Sequence, residues 1–361
     1  MKTGKIFWIA VPVVLIAACY VAYRMFEPVL VYNSGWQDPP ARAMAPDRFE
    51  LADQGQGAAA EAAKRALTDA FRSGDFPALS VAIGGRDGLL WRGAIGYADI
   101  GEGKAVTFDG AFRIGSSSKA VTAAMVGVLM DRGVLQLDQS MRGLDPSLPD
   151  QFGAMTLGHV MSHRGGVRNY RMCLCFPAWE FLNQRKFSSV REAVAVIEND
   201  PLLFEPGTGF SYTSLGYNLA GLAIVQATGT PYPRALEEVL TGPLGMTGTR
   251  AEGAPGSAAP EVRFYDVEPK GYKETYPVDN SIKWPSGGLL STPTDMTRLG
   301  AAMMDEGFLT EATRTALLTV PEAENGSAYY AHGWRVSSWE LPGGATPWAW
   351  HHHGTAAGSR S

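Results

Sequence analysis

The passage from a strand into a helix at residues 116–119, which read Ser-Ser-Ser-Lys, constrains this chain more than any other segment. An apolar strand is predicted to end in Phe-Arg-Ile-Gly at positions 112–115, and a helix-forming run fills positions 120–129. Residues three apart share one face of a helix, so only Ser116 of the three serines can place its hydroxyl against the amine of Lys119. A serine hydroxyl needs a base before it attacks a carbonyl, and a lysine desolvated at the foot of a cleft can be that base. The spacing therefore predicts Ser116 as a nucleophile and Lys119 as its base.

Two further polar motifs follow along the chain. Tyr212 and Ser214 form a Tyr-x-Ser motif, and His352 and Gly354 form a His-x-Gly motif near the end of the sequence. Side chains alternate between the two faces of a strand, so His352 and Gly354 share one face and the adjacent histidines point to the other. We therefore expect only His352 of the three consecutive histidines to face a cleft.

In this order, the three motifs resemble those of the serine β-lactamase and penicillin-binding protein superfamily, in its class C and esterase-like branch. The glycine pair and helix start within residues 286–296 extend the resemblance. It implies an α+β fold over residues 58–361, with an antiparallel sheet flanked by helices, a large helical insert and a cleft between the two. It also implies a covalent acyl-enzyme formed on Ser116.

The resemblance implies roles for the other motif residues as well. The phenol of Tyr212 would lie beside Ser116 and Lys119, where a cationic neighbour would lower its pKa and allow the phenolate to share the proton transfer. The backbone N–H groups of Ser116 and Thr355 would form the oxyanion hole, which stabilises charge on the attacked carbonyl. The remaining substrate-binding residues would be Ser214, His352 and Gly354.

The second and third motifs also bear on the substrate. Ser214 stands where the family usually has asparagine, and a single hydroxyl cannot copy the donor and acceptor pair of an amide. His352 is a second departure from the motifs of lactam specialists. We therefore expect a serine hydrolase of peptidase or esterase type that acts on ester, amide or peptide carbonyls, with D-amino-acid peptides or small esters favoured over β-lactams. The alternative is a membrane-tethered, catalytically weak penicillin-binding protein or cell-wall-peptide sensor.

The N-terminus has the composition of a membrane segment. Lys2 and Lys5 precede an apolar run over residues 6–23, and Arg24 follows it. Eighteen apolar residues nearly span a bilayer, and positive charge at the front favours a cytoplasmic N-terminus.

We accordingly expect residues 1–27 to anchor the protein in a bacterial inner membrane and residues 28–57 to form a linker. The catalytic domain would then lie on the periplasmic or extracellular side. In an alternative interpretation, Cys19 ends a lipoprotein box and becomes a lipidated first residue.

Charge and residue spacing exclude some classes of protein. A formal net charge of -5 and the absence of a dense basic run argue against nucleic-acid binding. His159 and His163 lie four apart, as zinc ligands on a helix can, but no carboxylate completes the set, so we expect neither a metal nor a cofactor. Cys173 and Cys175 are expected to be thiols, although a disulfide between them is an open alternative. The expected partners are a small-molecule or peptide substrate and the membrane; the oligomeric state is unknown.

Local patterns predict several elements of the domain. An alanine-rich pattern predicts a helix over residues 58–71, and apolar periodicity predicts helices over 219–227 and 231–240. Thr292 followed by Pro293 predicts the start of another helix.

The resemblance carries one further expectation. In the family, two strands and a C-terminal helix follow the His-x-Gly strand and join it to the N-terminal hairpin. Since this sequence ends at Ser361, we expect it to be an incomplete version of a longer product that lacks those elements.

Overall fold

A computed structural model of the protein describes residues 3–38, 45–51, 57–74, 76–172, 179–321, 329–341 and 343–361. The helices in these ranges are α1 (Thr3–Tyr32), α2 (Gly57–Ser73), α3 (Ser118–Asp131), α4 (Met141–Leu144), α5 (Leu157–Met161), α6 (Val190–Val194), α7 (Asn218–Thr228), α8 (Tyr232–Leu236), α9 (Trp284–Gly287), α10 (Pro293–Met304) and α11 (Glu311–Leu318). The strands are β1 (Asp47–Leu51), β2 (Ala78–Gly85), β3 (Gly88–Asp99), β4 (Lys104–Ala105), β5 (Phe112–Arg113), β6 (Arg250–Ala251), β7 (Tyr265–Glu268), β8 (Gly271–Glu274), β9 (Leu289–Ser291), β10 (Arg335–Ser338), β11 (Trp348–His351), β12 (Thr355–Ala356) and β13 (Ser359–Arg360).

The strands form several short antiparallel sheets. In the first sheet, β3 lies between β1 and β2, and β4 also pairs with β3. In the second, β9 lies between β5 and β6, while β7–β8, β10–β11 and β12–β13 form separate pairs. The regular elements described between β5 and β6 are all helices, as the sequence predicted, and the α+β fold class is confirmed.

Two hydrophobic cores hold the domain together. The larger core surrounds α3, which buries residues on all sides, as a helix packed within other helices must. The smaller core lies between α2 and β3, where Leu67 and Phe71 pack with Trp91 and Ile95. The motif residues at the start of α3 therefore lie on a helix that is held by the main core.

The helices predicted from local patterns are present. α2 and α7 match their predicted ranges closely, and α8 continues through a π-helical turn, Glu237–Thr241. The cap of α10 is also confirmed, since the Thr292 side chain accepts a hydrogen bond of 3.1 Å from the Asp295 N–H and Pro293 is the first helical residue.

The N-terminal segment, predicted as an anchor over residues 1–27 and a linker over residues 28–57, contains a long helix and a strand. α1 extends through Tyr32, and the stretch Val11–Tyr32 is long and apolar enough to cross a membrane, a property that signal sequences share. Inside the predicted linker, Gln37 bridges to Tyr272 and β1 pairs with β3 along its whole length. These parts of the segment are packed on the domain because their backbone groups complete sheet hydrogen bonds. Cys173 and Cys175 lie outside the described residues, whereas Cys19 is an exposed free thiol.

Candidate active site

Ser116 lies in a single 3-10 turn, Gly115–Ser117, that leads directly into α3. The turn is closed by Ser118, whose hydroxyl donates a 2.7 Å hydrogen bond to the Gly115 carbonyl. Gly115 has a positive φ of 47°, which favours glycine. The turn leaves Ser116 partly exposed while Lys119, one helical turn later, is fully buried. The nucleophile is thus open to a substrate and its base is shielded from water.

Within the part of the chain that the structure describes, the amine of Lys119 contacts three oxygens and no carboxylate. It lies 3.3 Å from the Ser116 Oγ, 3.1 Å from the Ser214 Oγ and 2.8 Å from the Ser286 carbonyl oxygen. Burial lowers the pKa of Lys119 well below its usual value, and the charges of Lys283 and Arg335 lower it further. A lysine in this environment is neutral more readily, and its lone pair can accept the proton of Ser116.

Tyr212 lies on the other side of the nucleophile. Its phenol is close enough to the Ser116 hydroxyl to interact with it, and the Lys119 amine lies 4.8 Å from the centre of its ring. Burial raises the pKa of Tyr212, although the interaction with Ser116 and the charge of Arg335 oppose the rise. The expectation of a lowered tyrosine pKa was therefore wrong, because desolvation of the phenolate outweighs its favourable neighbours. Tyr212 is a neutral phenol that can donate a proton, and Lys119 is the better base.

His352 is held as a neutral imidazole. Its Nδ1 lies 2.7 Å from the His353 carbonyl oxygen, so Nδ1 carries the proton, and Nε2 accepts a 3.0 Å hydrogen bond from the Tyr330 hydroxyl. Burial and the nearby charge of Lys119 lower the pKa of His352 to about 3. The other two histidines lie elsewhere, since His351 bonds Ser337 and His353 is exposed.

The backbone around Gly354 packs directly on the turn that carries the nucleophile. A Cβ atom at Gly354 would lie 1.9 Å from the Ile114 carbonyl oxygen and 2.8 Å from the Ser116 nitrogen. A Cβ atom at Gly115 would lie 2.6 Å from the Thr355 nitrogen. The two backbone segments can approach this closely only because both positions are glycine.

The hydrogen-bond pattern of β12 and β13 leaves the Thr355 N–H free to face this turn. Gly354 and Ser361 exchange two backbone hydrogen bonds, each 2.9 Å long. Pairs alternate along an antiparallel ladder, so the next pair, Thr355 with Arg360, is not hydrogen-bonded. The Thr355 N–H therefore points away from β13, on the side where Gly115 and Ser116 lie. Two N–H groups on one side of a nucleophile have the arrangement of an oxyanion hole.

Replacing Gly354 with alanine should separate the two segments. The added methyl group cannot fit 1.9 Å from a backbone oxygen, so we expect a fall in thermal stability and a loss of about a hundredfold in kcat, the usual effect of losing an oxyanion donor. Turnover of a chromogenic ester and a thermal melt measure both effects. Gly300→Ala is the matched control, because no atom lies within 4 Å of its added Cβ and a helix favours alanine. Equal activity in the two variants would contradict this placement of Thr355.

The sequence did not indicate two cations near the nucleophile, the partly buried Arg335 and the buried Lys283. Arg335, on β10, places its guanidinium 5.6 Å from the Tyr212 ring and 5.4 Å from the Tyr329 ring, and its buried Nε has no hydrogen-bond partner among the described residues. The amine of Lys283 lies 4.5 Å from the Phe181 ring. Their positions depend on long-range packing, and the only local signal was a lysine between isoleucine and tryptophan in an otherwise apolar stretch.

Replacing Lys283 with methionine should stabilise the fold at pH 7 by on the order of 2 kcal/mol. Burial lowers the pKa of Lys283 to about 8 from 10.5, so the unfolded chain binds the proton more tightly between these values. The free energy of unfolding of the wild type should consequently rise as pH rises from about 8 to about 10.5. The variant should lack this rise. Urea unfolding across this range is the measurement. The exposed Lys186→Met should leave the change of unfolding free energy with pH as it is in wild type. If wild type and Lys283→Met showed the same change with pH, the lowered pKa of Lys283 would be refuted.

The histidine pair considered for zinc has other contacts. His159 completes a capping box with Thr156 at the start of α5. His163 is buried among aromatic rings, 4.3 Å from that of Tyr212 and 4.5 Å from that of Tyr330. Among the residues with described positions, no group of three histidine, cysteine or acidic side chains is arranged to hold a metal ion.

Comparison with known proteins identifies the family of this fold. The family model described as Beta-lactamase matches residues 58–361, and the chain belongs to that family. Its members include serine hydrolases of several kinds, and the motif resemblance found in the sequence is confirmed.

Individual relatives are distant. The human protein "Serine beta-lactamase-like protein LACTB, mitochondrial" is 24% identical over 290 residues, which cover 63% of this chain and 52% of that protein. "Penicillin-binding protein 4*" of Bacillus subtilis (strain 168) is 25% identical over 265 residues, covering 68% of this chain and 56% of the relative. The chain thus spans about half the length of the curated relatives it matches. Among solved structures, D-amino acid amidase from Ochrobactrum anthropi SV3 complexed with D-phenylalanine has a TM-score of 0.68 at 23% identity and covers 82% of this chain and 85% of its own.

Proposed function

We propose that this protein is a serine hydrolase that cleaves acyl compounds through a covalent intermediate on Ser116. One observation carries the proposal. The Lys119 amine lies 3.3 Å from the Ser116 Oγ in a buried position without an anionic partner among the described residues. This arrangement can deprotonate an alcohol at neutral pH, and a lysine with a purely structural role would be expected to have a carboxylate partner.

The proposed reaction begins when Lys119 takes the proton of Ser116 as Oγ bonds to the substrate carbonyl carbon. The N–H groups of Ser116 and Thr355 hold the resulting oxyanion. Tyr212 then donates its proton to the leaving amine or alkoxide as the carbonyl re-forms, and Lys119 returns the proton it took to the phenolate. Water attacks the acyl-enzyme by the same route, which releases the acid and restores the Ser116 hydroxyl.

The charge of the cleft supports an anionic substrate. Arg335 and Lys283 flank the reaction centre, and neither has a carboxylate within ion-pair distance among the described residues. A guanidinium in this setting is suited to a substrate carboxylate, which would occupy its unpaired N–H groups. Peptides that end in a free carboxylate meet this requirement. The D-amino acid amidase of similar fold adds support for a D-amino acid next to the scissile bond, so we rank D-amino-acid peptides first and small esters second.

Replacing Arg335 with glutamine should discriminate between charged and neutral substrates. We expect kcat/KM for a D-alanyl peptide with a free carboxylate to fall about thirtyfold, the usual worth of a charged hydrogen bond, and that for the matching peptide amide to fall far less. Steady-state kinetics on the two peptides give the ratio. The exposed Arg234→Gln, which only breaks a surface ion pair with Glu238, should change neither value. Equal losses on both peptides would exclude Arg335 as the carboxylate-binding residue.

The experiment that tests the function is a substrate panel on the full chain. It comprises chromogenic esters, a chromogenic cephalosporin and D-alanyl peptides, each with wild type and with Ser116→Ala. Turnover that depends on Ser116 supports the hydrolase. A stable adduct on Ser116 without turnover would instead indicate the slowly acylated binding protein.

We also propose that α1 is an uncleaved anchor in a bacterial inner membrane, with the catalytic domain on the periplasmic or extracellular side. The lysines before the apolar run support this orientation. Detection of the intact N-terminal peptide in a membrane fraction by mass spectrometry would test it, and a mature chain beginning at a lipidated Cys19 would favour the lipoprotein.

A further inference from the structure

The N-terminal helix is attached to the catalytic domain by specific contacts near its C-terminal end. The Arg24 guanidinium donates a 3.2 Å hydrogen bond to the side-chain oxygen of Gln184. One residue before the end of α1, the Val31 carbonyl accepts a hydrogen bond from Lys273 on β8. Beyond the helix, Trp36 packs with Lys270 at 4.2 Å. The helix thus has a defined position relative to the domain.

The sequence of α1 fixes the level at which these contacts lie. The apolar run over residues 6–23 contains 18 residues, which at 1.5 Å per residue is about 27 Å, close to the thickness of a bilayer core. Arg24 is the first charged residue after this run, although the longer apolar stretch Val11–Tyr32 continues past it. Because Arg24 pairs with Glu27 and bonds Gln184 of the domain, we place the end of the membrane-spanning part at Arg24 and its guanidinium among the lipid headgroups. Since Gln184 is hydrogen-bonded to Arg24, the segment that contains Gln184 lies at the headgroup level too.

This segment presents large apolar side chains to the outside. Met172 is 59% exposed, Trp179 39% and Phe181 37%, and Met172 and Trp179 are joined by a backbone bridge. We call these three residues the rim. Lys186 follows, exposed and without an acidic partner among the described residues. Aromatic side chains beside a lysine are the composition of protein surfaces that lie in a membrane interface.

Phe181 of the rim is connected to the catalytic residues by a short series of contacts. Its ring lies 5.6 Å from that of Tyr170. Tyr170 follows Asn169, whose side-chain oxygen accepts a 3.1 Å hydrogen bond from the Ser214 N–H. The Ser214 Oγ lies 3.1 Å from the amine of Lys119. These contacts connect the catalytic lysine to a surface at the level of the lipid headgroups.

We propose that the rim, Met172, Trp179 and Phe181, inserts into the surface of the bilayer that holds α1, so that the active-site cleft opens at the membrane. The partner of this surface is a bilayer containing anionic lipid, which matches the apolar rim and Lys186. The cleft then receives amphiphilic acyl substrates whose apolar chain stays in the bilayer while the scissile carbonyl lies at the headgroup level. The inference rests on the membrane anchor proposed above, and its first test is independent of catalysis.

The first test is quenching of tryptophan fluorescence by lipids brominated near the headgroup. The full chain is placed in nanodiscs of phosphatidylcholine and phosphatidylglycerol, and wild type is compared with Trp179→Phe and Trp348→Phe. Trp348, 67% exposed on β11, is a matched control for an exposed indole. Trp8 lies within the apolar run and provides a common quenched signal that reports insertion of the anchor.

We expect Trp179→Phe to remove a quenched component and Trp348→Phe to remove an unquenched one. Quenching of the common Trp8 signal without any contribution from Trp179 would overturn the rim and leave the anchor standing. Loss of both signals would overturn the anchor and the rim together.

The second test compares two chromogenic esters in the same nanodiscs, 4-nitrophenyl laurate held in the bilayer and 4-nitrophenyl acetate in water. Trp179→Ser should lower kcat/KM for the laurate ester about tenfold and leave the acetate ester within about twofold, because one indole in the interface contributes on the order of one tenfold step in affinity. Trp348→Ser should change neither value. Parallel losses on both esters would refute the rim, whereas inactivity of every form towards both esters would count against the proposed esterase activity and the amphiphilic substrate. In that case quenching alone decides membrane insertion.

Discussion

Ser116→Ala is expected to lower turnover of every substrate by about 10⁴-fold or more and to abolish the covalent adduct detected by intact-protein mass spectrometry. The reason is the loss of the Ser116 Oγ, which lies 3.3 Å from the Lys119 amine and interacts with the Tyr212 phenol. Removing a nucleophile from a unit of interdependent groups removes nearly all of the covalent catalysis. The thermal midpoint should barely change, because the Ser116 side chain is partly exposed and its contacts are few.

Ser118→Ala is the control, since it should lower stability without abolishing the covalent adduct. The Ser118 hydroxyl is fully buried, donates to the Gly115 carbonyl and accepts from the Leu289 N–H, 3.3 Å away. Removing it takes this partner from the Leu289 N–H and leaves the Gly115 carbonyl with only the Ser118 N–H. Stability should therefore fall by about 1–3 kcal/mol while the adduct still forms. If Ser116→Ala retained the adduct, or if Ser118→Ala lost it while folded, the nucleophile would be wrongly assigned.

Lys119→Arg is expected to lower the rate of acylation about a thousandfold at neutral pH, although the positive charge is kept. A guanidinium is protonated at every pH at which the protein is folded, so it cannot accept the Ser116 proton. A lysine that acted only through its charge would be replaced by arginine at little cost. The rate of adduct formation with a chromogenic ester distinguishes the two roles.

The pH profile of the wild type should agree with this result. Burial and the charges of Lys283 and Arg335 lower the pKa of Lys119. The rising limb of the pH profile of kcat/KM should therefore lie at a pH well below the usual pKa of a lysine. Lys283→Met removes one of these charges, so the pKa of Lys119 should rise and the limb should move to higher pH while the enzyme stays active. A limb that remains in place in Lys283→Met would mean that the titrating group is not Lys119.

The sequence was most informative where chemistry depends on residues close together in the chain. Ser116 and Lys119 lie three apart at a helix start, and the i, i+3 geometry alone places the hydroxyl beside the amine. The N-terminal cap of α10 could also be predicted from the sequence, since Thr292, Pro293 and Asp295 lie within one helical turn. The motifs of Tyr212 and His352 follow that of Ser116 in the same order as in the family, and this order indicated the fold class.

Other features were out of reach because they arise from packing between distant segments. The pKa of Tyr212 depends on how much water reaches its phenol, and the expectation of a lowered value failed on that point. Arg335 lies well over a hundred residues from Tyr212 in the chain, and no local pattern brings the two together. The segment expected to be a linker contains β1, whose partner β3 begins far along the chain.

The sequence by itself determined which atoms could react, because spacing on a helix is set by local backbone geometry. Only the tertiary structure decided how they would react. It buried Lys119 with no anionic partner among the residues whose positions are described, placed Gly354 against the Ile114 carbonyl and brought Arg335 and Lys283 to the cleft. Solvation and long-range charge set the proton affinities of a site, and both depend on the three-dimensional packing of residues that the chain keeps far apart.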